Sequence, residues 1–165
     1  MTKPAASLQN RVFVDTNVLV YDFFHRNPGY NPGSDIARIA AHSNAALTHI
    51  SRQRGYRLFT AAFSLARLVS LLQQRKVPKS VAVGEVRRVL SKMSVVGLPS
   101  SLMLSGLDEF ERNADAKDLE DVFQYLVCRQ NRCRYLLTAN GKDFRFFRNV
   151  LVVHPESYRI ITFKI

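Results

Sequence analysis

Acidic residues recur where a predicted strand ends. Asp15 directly follows the apolar run at residues 12–14, which is typical of a buried parallel strand. Asp143 follows a second apolar run, at residues 135–137, after a short polar stretch. Open α/β sheets place their ligands at the carboxyl ends of the strands. We therefore expect both aspartates at one edge of a sheet, where a group of carboxylates can hold a divalent cation.

Two more candidate acids, Asp118 and Asp121, lie at the start of a helical pattern over residues 117–131. Because they are three residues apart, they share one face of that helix. The alternative for Asp118 and Glu120 is N-terminal capping and compensation of the helix dipole, which requires no function. For Asp121 the strand-end partner Asp15 favours a place in the acidic site.

The chain is strongly basic, with 24 Lys and Arg residues against 13 Asp and Glu residues and a formal net charge of +11. Such a surplus favours a phosphate-rich partner or an acidic protein partner, although a merely soluble basic surface would have the same composition. Acids at the strand ends of so basic a chain predict a site that cuts a polyanion. Three phenylalanines follow Asp143, namely Phe144, Phe146 and Phe147. They could stack on the bases of a nucleic acid, or they could instead close the core.

The length of 165 residues is that of one domain with a substantial core. We expect a flexible N-terminal tail at residues 1–10 and a single domain over residues 11–165. The tail lacks the apolar segment of a signal peptide, and no stretch approaches the roughly 18 apolar residues of a membrane span, so we expect a cytoplasmic protein without membrane contact. Cys128 and Cys133 have no second pair that would complete a zinc site, and Cys128 is interpreted as a core residue.

Predicted strands alternate with predicted helices along the chain. This order is typical of β–α–β units with right-handed crossovers, and it predicts a three-layer α/β/α sandwich around a mostly parallel sheet of about five strands. The last residues, 160–165, are predicted to form an extended tail or an added edge strand. The predicted strands lie at residues 11–14, 57–60, 95–98, 134–138 and 150–153, and the helices at residues 18–24, 34–55, 63–72, 81–93, 99–112 and 117–131.

Three segments in this order resemble PIN-domain proteins, in particular the compact bacterial members that are often the toxins of toxin–antitoxin pairs. They are residues 12–19, 118–125 and 137–144, and the similarity covers nearly the whole chain from residue 11 to about residue 158. The resemblance implies a PIN-like fold and metal-dependent ribonuclease chemistry at a pocket of three or four acids.

The resemblance also implies roles for individual residues. Asp15, Asp121 and Asp143 match the family's first, third and fourth acids, which are both catalytic and metal-binding. The implied cofactor is Mg²⁺ or Mn²⁺, because these cations prefer hard oxygen ligands. The implied partners are RNA, an antitoxin protein and a second copy of the chain. The residues that would support the acids are Thr16, Asn17, Arg67, Asp118, Thr138 and Asn140.

The chain departs from the family pattern at the second acid, which is typically a Glu on the helix after the second strand. That position falls at Ala66 or Arg67, and no Glu occurs in residues 34–84. An inward Arg67 would pair with Asp15 or Asp121 and compete with the metal, or it would bind a substrate phosphate. An outward Arg67 would be an ordinary solvated helix residue.

Two functions remain open from the sequence. The first is a divalent-metal-dependent endoribonuclease, the toxin of a toxin–antitoxin pair, which the three retained aspartates favour. The second is a degenerate PIN-like domain that binds RNA or a protein partner without cleavage, which the missing Glu and Arg67 favour. A receiver-like phosphate-binding module is disfavoured, because the chain has neither a Gly-rich loop nor an acid pair after the first strand.

Overall fold

The computed structural model describes residues 10–30, 33–145 and 147–162. The predicted N-terminal tail therefore lies outside the described residues except for Asn10. Five strands form one sheet in this part of the chain: β1 (Asn10–Val14), β2 (Tyr56–Ala61), β3 (Ser94–Val96), β4 (Tyr135–Leu137) and β5 (Leu151–Val153). Their order across the sheet is β3-β2-β1-β4-β5, and each neighbouring pair is parallel.

The described residues also form six α-helices, which cover both faces of the sheet. They are α1 (Thr16–Arg26), α2 (Ser34–Arg52), α3 (Ala62–Gln74), α4 (Lys79–Lys92), α5 (Ser100–Arg112) and α6 (Leu119–Gln130). Helices α1 to α4 pack mainly on one face, and α5 and α6 pack on the other. The predicted three-layer α/β/α sandwich is thus confirmed. None of the described helices combines the length and the apolar character needed to cross a membrane.

Two buried clusters lie on the two faces of the sheet. Successive residues of a strand point to opposite faces, so Val12 and Val14 of β1 join one cluster and Phe13 joins the other. Leu58 and Phe59 of β2 divide in the same way. Because helices cover both faces, the strands are apolar at consecutive positions, which is why they can be located from the sequence.

The direction in which strands are added to the sheet reverses between β1 and β4. Strands β2 and β3 lie on one side of β1, whereas β4 and β5 lie on the other. The crevice at such a switch point, at the carboxyl ends of the strands, is where open α/β folds bind ligands. The backbone N–H of Asp15 donates to the carbonyl oxygen of Leu137 at 3.0 Å, across this point. The topology therefore places the ends of β1 and β4 side by side.

The C-terminal segment differs from the sequence prediction. Residues Pro155–Thr162 form a 3₁₀ helix, so residues 160–162 are neither an extended tail nor an edge strand, and residues 163–165 lie outside the described part of the chain. Ile161 is fully buried in the cluster beneath α1 to α4, and its carbonyl oxygen accepts a hydrogen bond from the Tyr56 hydroxyl. The helical turn brings Ile161 into the core, which an added edge strand would not do.

Candidate functional site

Asp15 lies at the boundary between β1 and α1, and its side chain is almost completely buried, with an exposed fraction of 2%. It occupies the N-cap position of α1, yet its carboxylate makes no capping hydrogen bond among the described residues. The Oδ2 atom instead accepts hydrogen bonds from the Thr138 hydroxyl, at 2.6 Å, and from the Asn17 side-chain amide. Groups from both sides of the switch point therefore hold this carboxylate in place.

A chain of polar contacts connects Asp15 to Asp143. The Asn17 side-chain oxygen accepts a hydrogen bond from the backbone N–H of the residue after Thr138, at 3.0 Å. Thr138 Oγ1 accepts another from the backbone N–H of Asn140, at 2.9 Å. The Asn140 side-chain amide donates in turn to the Asp143 carboxylate. The structure thus brings these sequence-predicted residues into one network at the ends of β1 and β4.

Burial is the main influence on the Asp15 carboxyl group, and it raises the pKa to about 6. Polar contacts from Thr138, Gln124 and the Asn17 backbone oppose this increase, whereas the negative charge of Glu120 adds to it. The raised pKa means that the protein compensates the buried charge only in part. A cation next to Asp15 would complete the compensation.

Asp121 lies in the first turn of α6 and is partly buried. Its pKa rises to about 8, first because of burial and then because of the negative charges of Asp15, Asp118, Asp143 and Glu120. Neighbouring carboxylates disfavour one another's ionisation. Asp121 therefore lies within electrostatic range of both other acids that the sequence assigns to the site.

Asp118 has the capping role that the sequence offers as one alternative. It is the N-cap residue of α6, and its Oδ1 accepts a hydrogen bond from the backbone N–H of Glu120 at 2.8 Å. Its side chain is exposed, although its charge still acts on Asp121. Asp118 therefore contributes to the site by fixing the start of α6, which carries Asp121.

Glu120 is a fourth acid of this region, for which the sequence indicates only a capping role. Its Oε1 accepts hydrogen bonds from the Thr16 hydroxyl at 3.0 Å and from the Gln124 amide at 3.2 Å. Gln124 also donates to Thr16 Oγ1 at 3.3 Å. Because Thr16 follows Asp15 directly, this network adjoins the buried carboxylate. The i,i+4 spacing of Glu120 and Gln124, which places them on one helix face, is the sequence signal that could have indicated this hydrogen-bond network.

Arg67, which with Ala66 is one of the two residues that the resemblance places at the second acid, forms an ion pair with Glu120. Its Nε lies 3.4 Å from Glu120 Oε2, and the two side chains are 47% and 23% exposed. The sequence leaves open an inward Arg67 that pairs with Asp15 or Asp121 and an outward, solvated Arg67; in the structure Arg67 is half-exposed and its ion-pair partner is Glu120. Helix α3 contacts α6 through the ring pair of Phe63 and Phe123. This packing places Arg67 opposite Glu120, the second residue of α6, and not opposite the end of β1.

Glu85, the first glutamate after the gap in residues 34–84, does not supply the missing acid. It is buried on α4 and pairs with Arg26 and Arg88 at 2.6 and 2.7 Å. The same two arginines pair with the buried Asp22 of α1. These four side chains form a neutral cluster within the layer of α1 to α4, away from Asp15.

The acids at the ends of β1 and β4 fit a hard divalent cation by their chemistry. Carboxylate oxygens are the ligands that Mg²⁺ and Mn²⁺ prefer, and Mg²⁺ needs few of them because it keeps several waters. Gln124 Oε1 is buried without a hydrogen-bond donor among the described residues, and a cation-bound water would be such a donor. In the described ranges no three His, Cys, Asp or Glu side chains are grouped to enclose an ion, so waters would have to complete its coordination.

The phenylalanines after Asp143 belong to the core where the structure describes them. Phe144 and Phe147 are buried, and Phe147 stacks on Tyr125 with 3.9 Å between the ring centroids. They are therefore not available for stacking on bases, and Phe146 lies outside the described residues. Cys128 is buried in the same cluster, in agreement with its interpretation as a core residue.

The chain is similar to known proteins, although no family model matches the sequence. Ribonuclease VapC1 of Aquifex aeolicus is 23% identical over 134 residues, which are 81% of this chain and 83% of that protein. Mycobacterium tuberculosis VapC20, a Sarcin-Ricin loop cleaving toxin, superposes with a TM-score of 0.61 at 17% identity, over 84% of this chain and 98% of VapC20. A chain of VapBC2 from Rickettsia felis, bound to a DNA fragment from their promoter, superposes with a TM-score of 0.62 at 16% identity. The superposition covers 87% of this chain and 98% of that chain.

The structural similarities establish a common fold at low sequence identity. The curated ribonuclease adds a sequence match over most of both proteins. The three acidic segments also occur in the order of the PIN-domain pattern. The chain therefore has a PIN-like fold, and its sequence is similar to that of a VapC ribonuclease over most of both proteins.

Proposed function

We propose that this protein is a divalent-metal-dependent endoribonuclease and the toxin of a toxin–antitoxin pair. The observation that carries the proposal is the buried Asp15 at the switch point of the sheet, held by Thr138 and Asn17 and surrounded by further negative charge. A concentration of acids is costly without a cation, and the net charge of +11 suits a polyanionic substrate. The ribonuclease activity of VapC1 and the toxin activity of VapC20 support the same conclusion.

The acids proposed to hold Mg²⁺ or Mn²⁺ are Asp15, Asp121 and Asp143, and Glu120 is a candidate for a fourth. When bound, such an ion lowers the pKa of a coordinated water and polarises the scissile phosphate. The protein's own part is positioning: Thr138 and Asn17 orient Asp15, and the fold buries that carboxylate. A phosphodiester that binds next to these oriented oxygens would be held in place for the reaction.

Arg67 is proposed to contact the RNA backbone. Its Nε is directed to Glu120, and about half of its side chain is exposed. The terminal guanidinium nitrogens remain suited to a phosphate oxygen, for which the planar arginine fork is well shaped. The same arginine also supports the second candidate function, a domain that binds RNA without cleaving it, because it brings positive charge to a place where a metal-binding acid is usual in the family.

The proposed partners are RNA, an antitoxin and a second copy of the chain. The VapBC2 assembly from Rickettsia felis supports a protein partner of the antitoxin type. Self-association rests on the family resemblance, and the basic surface suits an acidic partner. Size-exclusion chromatography at moderate salt and micromolar concentration checks the dimer, since elution at the monomer mass of 18.8 kDa throughout would exclude it.

The ribonuclease proposal is tested by cleavage of structured and single-stranded RNA with Mn²⁺, with Mg²⁺ and with excess EDTA. We expect wild-type protein to cut only with a cation, and Asp15→Asn to lose activity at least 100-fold while its fold is retained. Asp108→Asn, an exposed acid on α5, is the matched control and should cut like the wild type. Equal cleavage in EDTA, or an Asp15→Asn variant of unchanged rate, would refute the mechanism.

A further inference from the structure

We propose that an apolar groove beside the acids binds one unpaired base of the RNA strand. This inference rests on the proposed function and specifies the substrate further, as RNA with an accessible base next to the cleaved phosphate. The groove has a volume of about 450 Å³ and lies between α3, α5 and α6. Its apolar wall is formed by Phe63, Leu98, Met103 and Phe123.

The groove is continuous with the candidate site, because Arg67 and Glu120 line it as well. Glu120 accepts a hydrogen bond from Thr16, the residue after Asp15. One end of the groove is thus the ion pair that adjoins the acids, and the remainder is apolar. A nucleotide has the same division into a charged phosphate and a flat, largely apolar base. A base in the groove would bring its phosphate to Arg67 and the acids.

Two aromatic rings give the groove the surfaces that a base requires. Phe63 and Phe123 form an edge-to-face pair with 6.3 Å between centroids and an interplanar angle of 66°, and both are partly exposed. The Phe123 ring packs directly against Gly106 of α5, since a Cβ built at this glycine would lie 2.6 Å from the ring. Aromatic rings held in place in this way are stacking platforms that accept every base, because every base has a π-face.

The charged end of the groove favours RNA over an apolar protein segment. An apolar segment that covered the groove would also bury the Arg67–Glu120 pair, and removing both charges from water is unfavourable. A nucleotide would leave that pair in contact with a charged phosphate, which Arg67 can bind. The net charge of +11 draws the same polyanion to this surface.

The test measures binding in EDTA, so that no cleavage occurs, with a fluorescein-labelled 12-nucleotide single-stranded RNA and with a ribose-phosphate strand of equal length without bases. Phe63→Leu keeps an apolar side chain but removes the ring. We expect it to weaken binding of the intact RNA about tenfold and to leave binding of the abasic strand unchanged. Phe63→Tyr should restore the wild-type affinity. Leu104→Ala, an exposed apolar residue of α5 that does not line the groove, is the control and should change neither affinity.

Equal effects of Phe63→Leu on the two strands, or no effect on either, would overturn the proposal. Thermal unfolding verifies that each variant is folded, and Met103→Ala provides a second, more exposed change in the same wall. Cleavage by the wild type with Mn²⁺ separates this test from that of the proposed function. Cleavage without any ring-dependent base binding would reject the groove alone, whereas ring-dependent binding without cleavage would reject the nuclease and keep the base site.

Discussion

Replacing Asp15 by Asn should change the pH dependence of stability in a direction set by the burial of this carboxyl group. A carboxyl group whose pKa is raised in the folded state binds its proton more tightly there than in the unfolded chain. Its contribution to stability is therefore fully present below the ordinary value of 3.8 and is lost as the pH rises through about 6. The Asp15→Asn variant has no charge to develop, so its stability should vary less over this window.

The magnitude follows from the difference between 3.8 and about 6. One pKa unit corresponds to about 1.4 kcal/mol, so the metal-free wild type should lose about 3 kcal/mol through this group between pH 3 and pH 8. An amide oxygen at the Oδ2 position still accepts from both Thr138 and Asn17, but the NH₂ group then takes the Oδ1 position and loses the polar contact with Gln124, which costs about 1 kcal/mol. We therefore expect Asp15→Asn to be about 2 kcal/mol more stable than the wild type at pH 8, roughly 4–8 °C in Tm.

Urea denaturation followed by circular dichroism from pH 4 to pH 8, in EDTA, measures this difference. The quantity of interest is the difference between wild type and variant, which contains the burial of the Asp15 charge and also its repulsion with Asp121; both destabilise the wild type as the pH rises. Asp108→Asn should follow the wild-type curve, since that side chain is exposed on α5. An Asp15→Asn variant that is less stable at pH 8 and keeps the wild-type pH slope would show that the buried Asp15 charge does not destabilise the fold.

Three further changes test other contacts. Arg67→Glu should tighten Mn²⁺ binding about tenfold in isothermal titration, since it removes a positive charge beside Glu120, and equal affinities would mean that Arg67 does not act on the site. Gly106→Ala should lower the free energy of unfolding by about 1–3 kcal/mol in urea, because its Cβ would overlap the Phe123 ring; a neutral effect would show that α5 can shift freely. Glu85→Ala should cost about 3–5 kcal/mol in the same assay, since it leaves two arginines of a buried cluster without one partner, yet should leave RNA cleavage intact.

Local sequence signals were sufficient to predict the sheet and the place of its first acid. The apolar run of β1 and the polar residues directly after it identify a buried parallel strand with Asp15 at its end. The alternation of strands and helices then fixes the layers, because parallel neighbours need a crossover. Asp118 was ambiguous between a cap and a site residue, since both roles favour a carboxylate at the start of a helix.

The parts that sequence could not predict depend on contacts between distant elements. The pairing of Arg67 with Glu120 follows from the packing of α3 against α6, which no spacing within either helix specifies. The 3₁₀ helix at Pro155–Thr162 depends on Ile161 entering the core next to Tyr56, a contact over more than a hundred residues. The burial of Phe147 on Tyr125 is another case in which a long-range contact decides between two local interpretations.

Anomalous diffraction from crystals soaked in Mn²⁺ would locate a cation bound by the acids at the ends of β1 and β4 and at the start of α6. We expect a manganese peak bound, directly or through water, by Asp15, Asp121 and Asp143, and no such peak in Asp15→Asn crystals treated identically. A peak at another place, or a fully ordered acidic cluster without manganese at saturating concentration, would contradict this assignment.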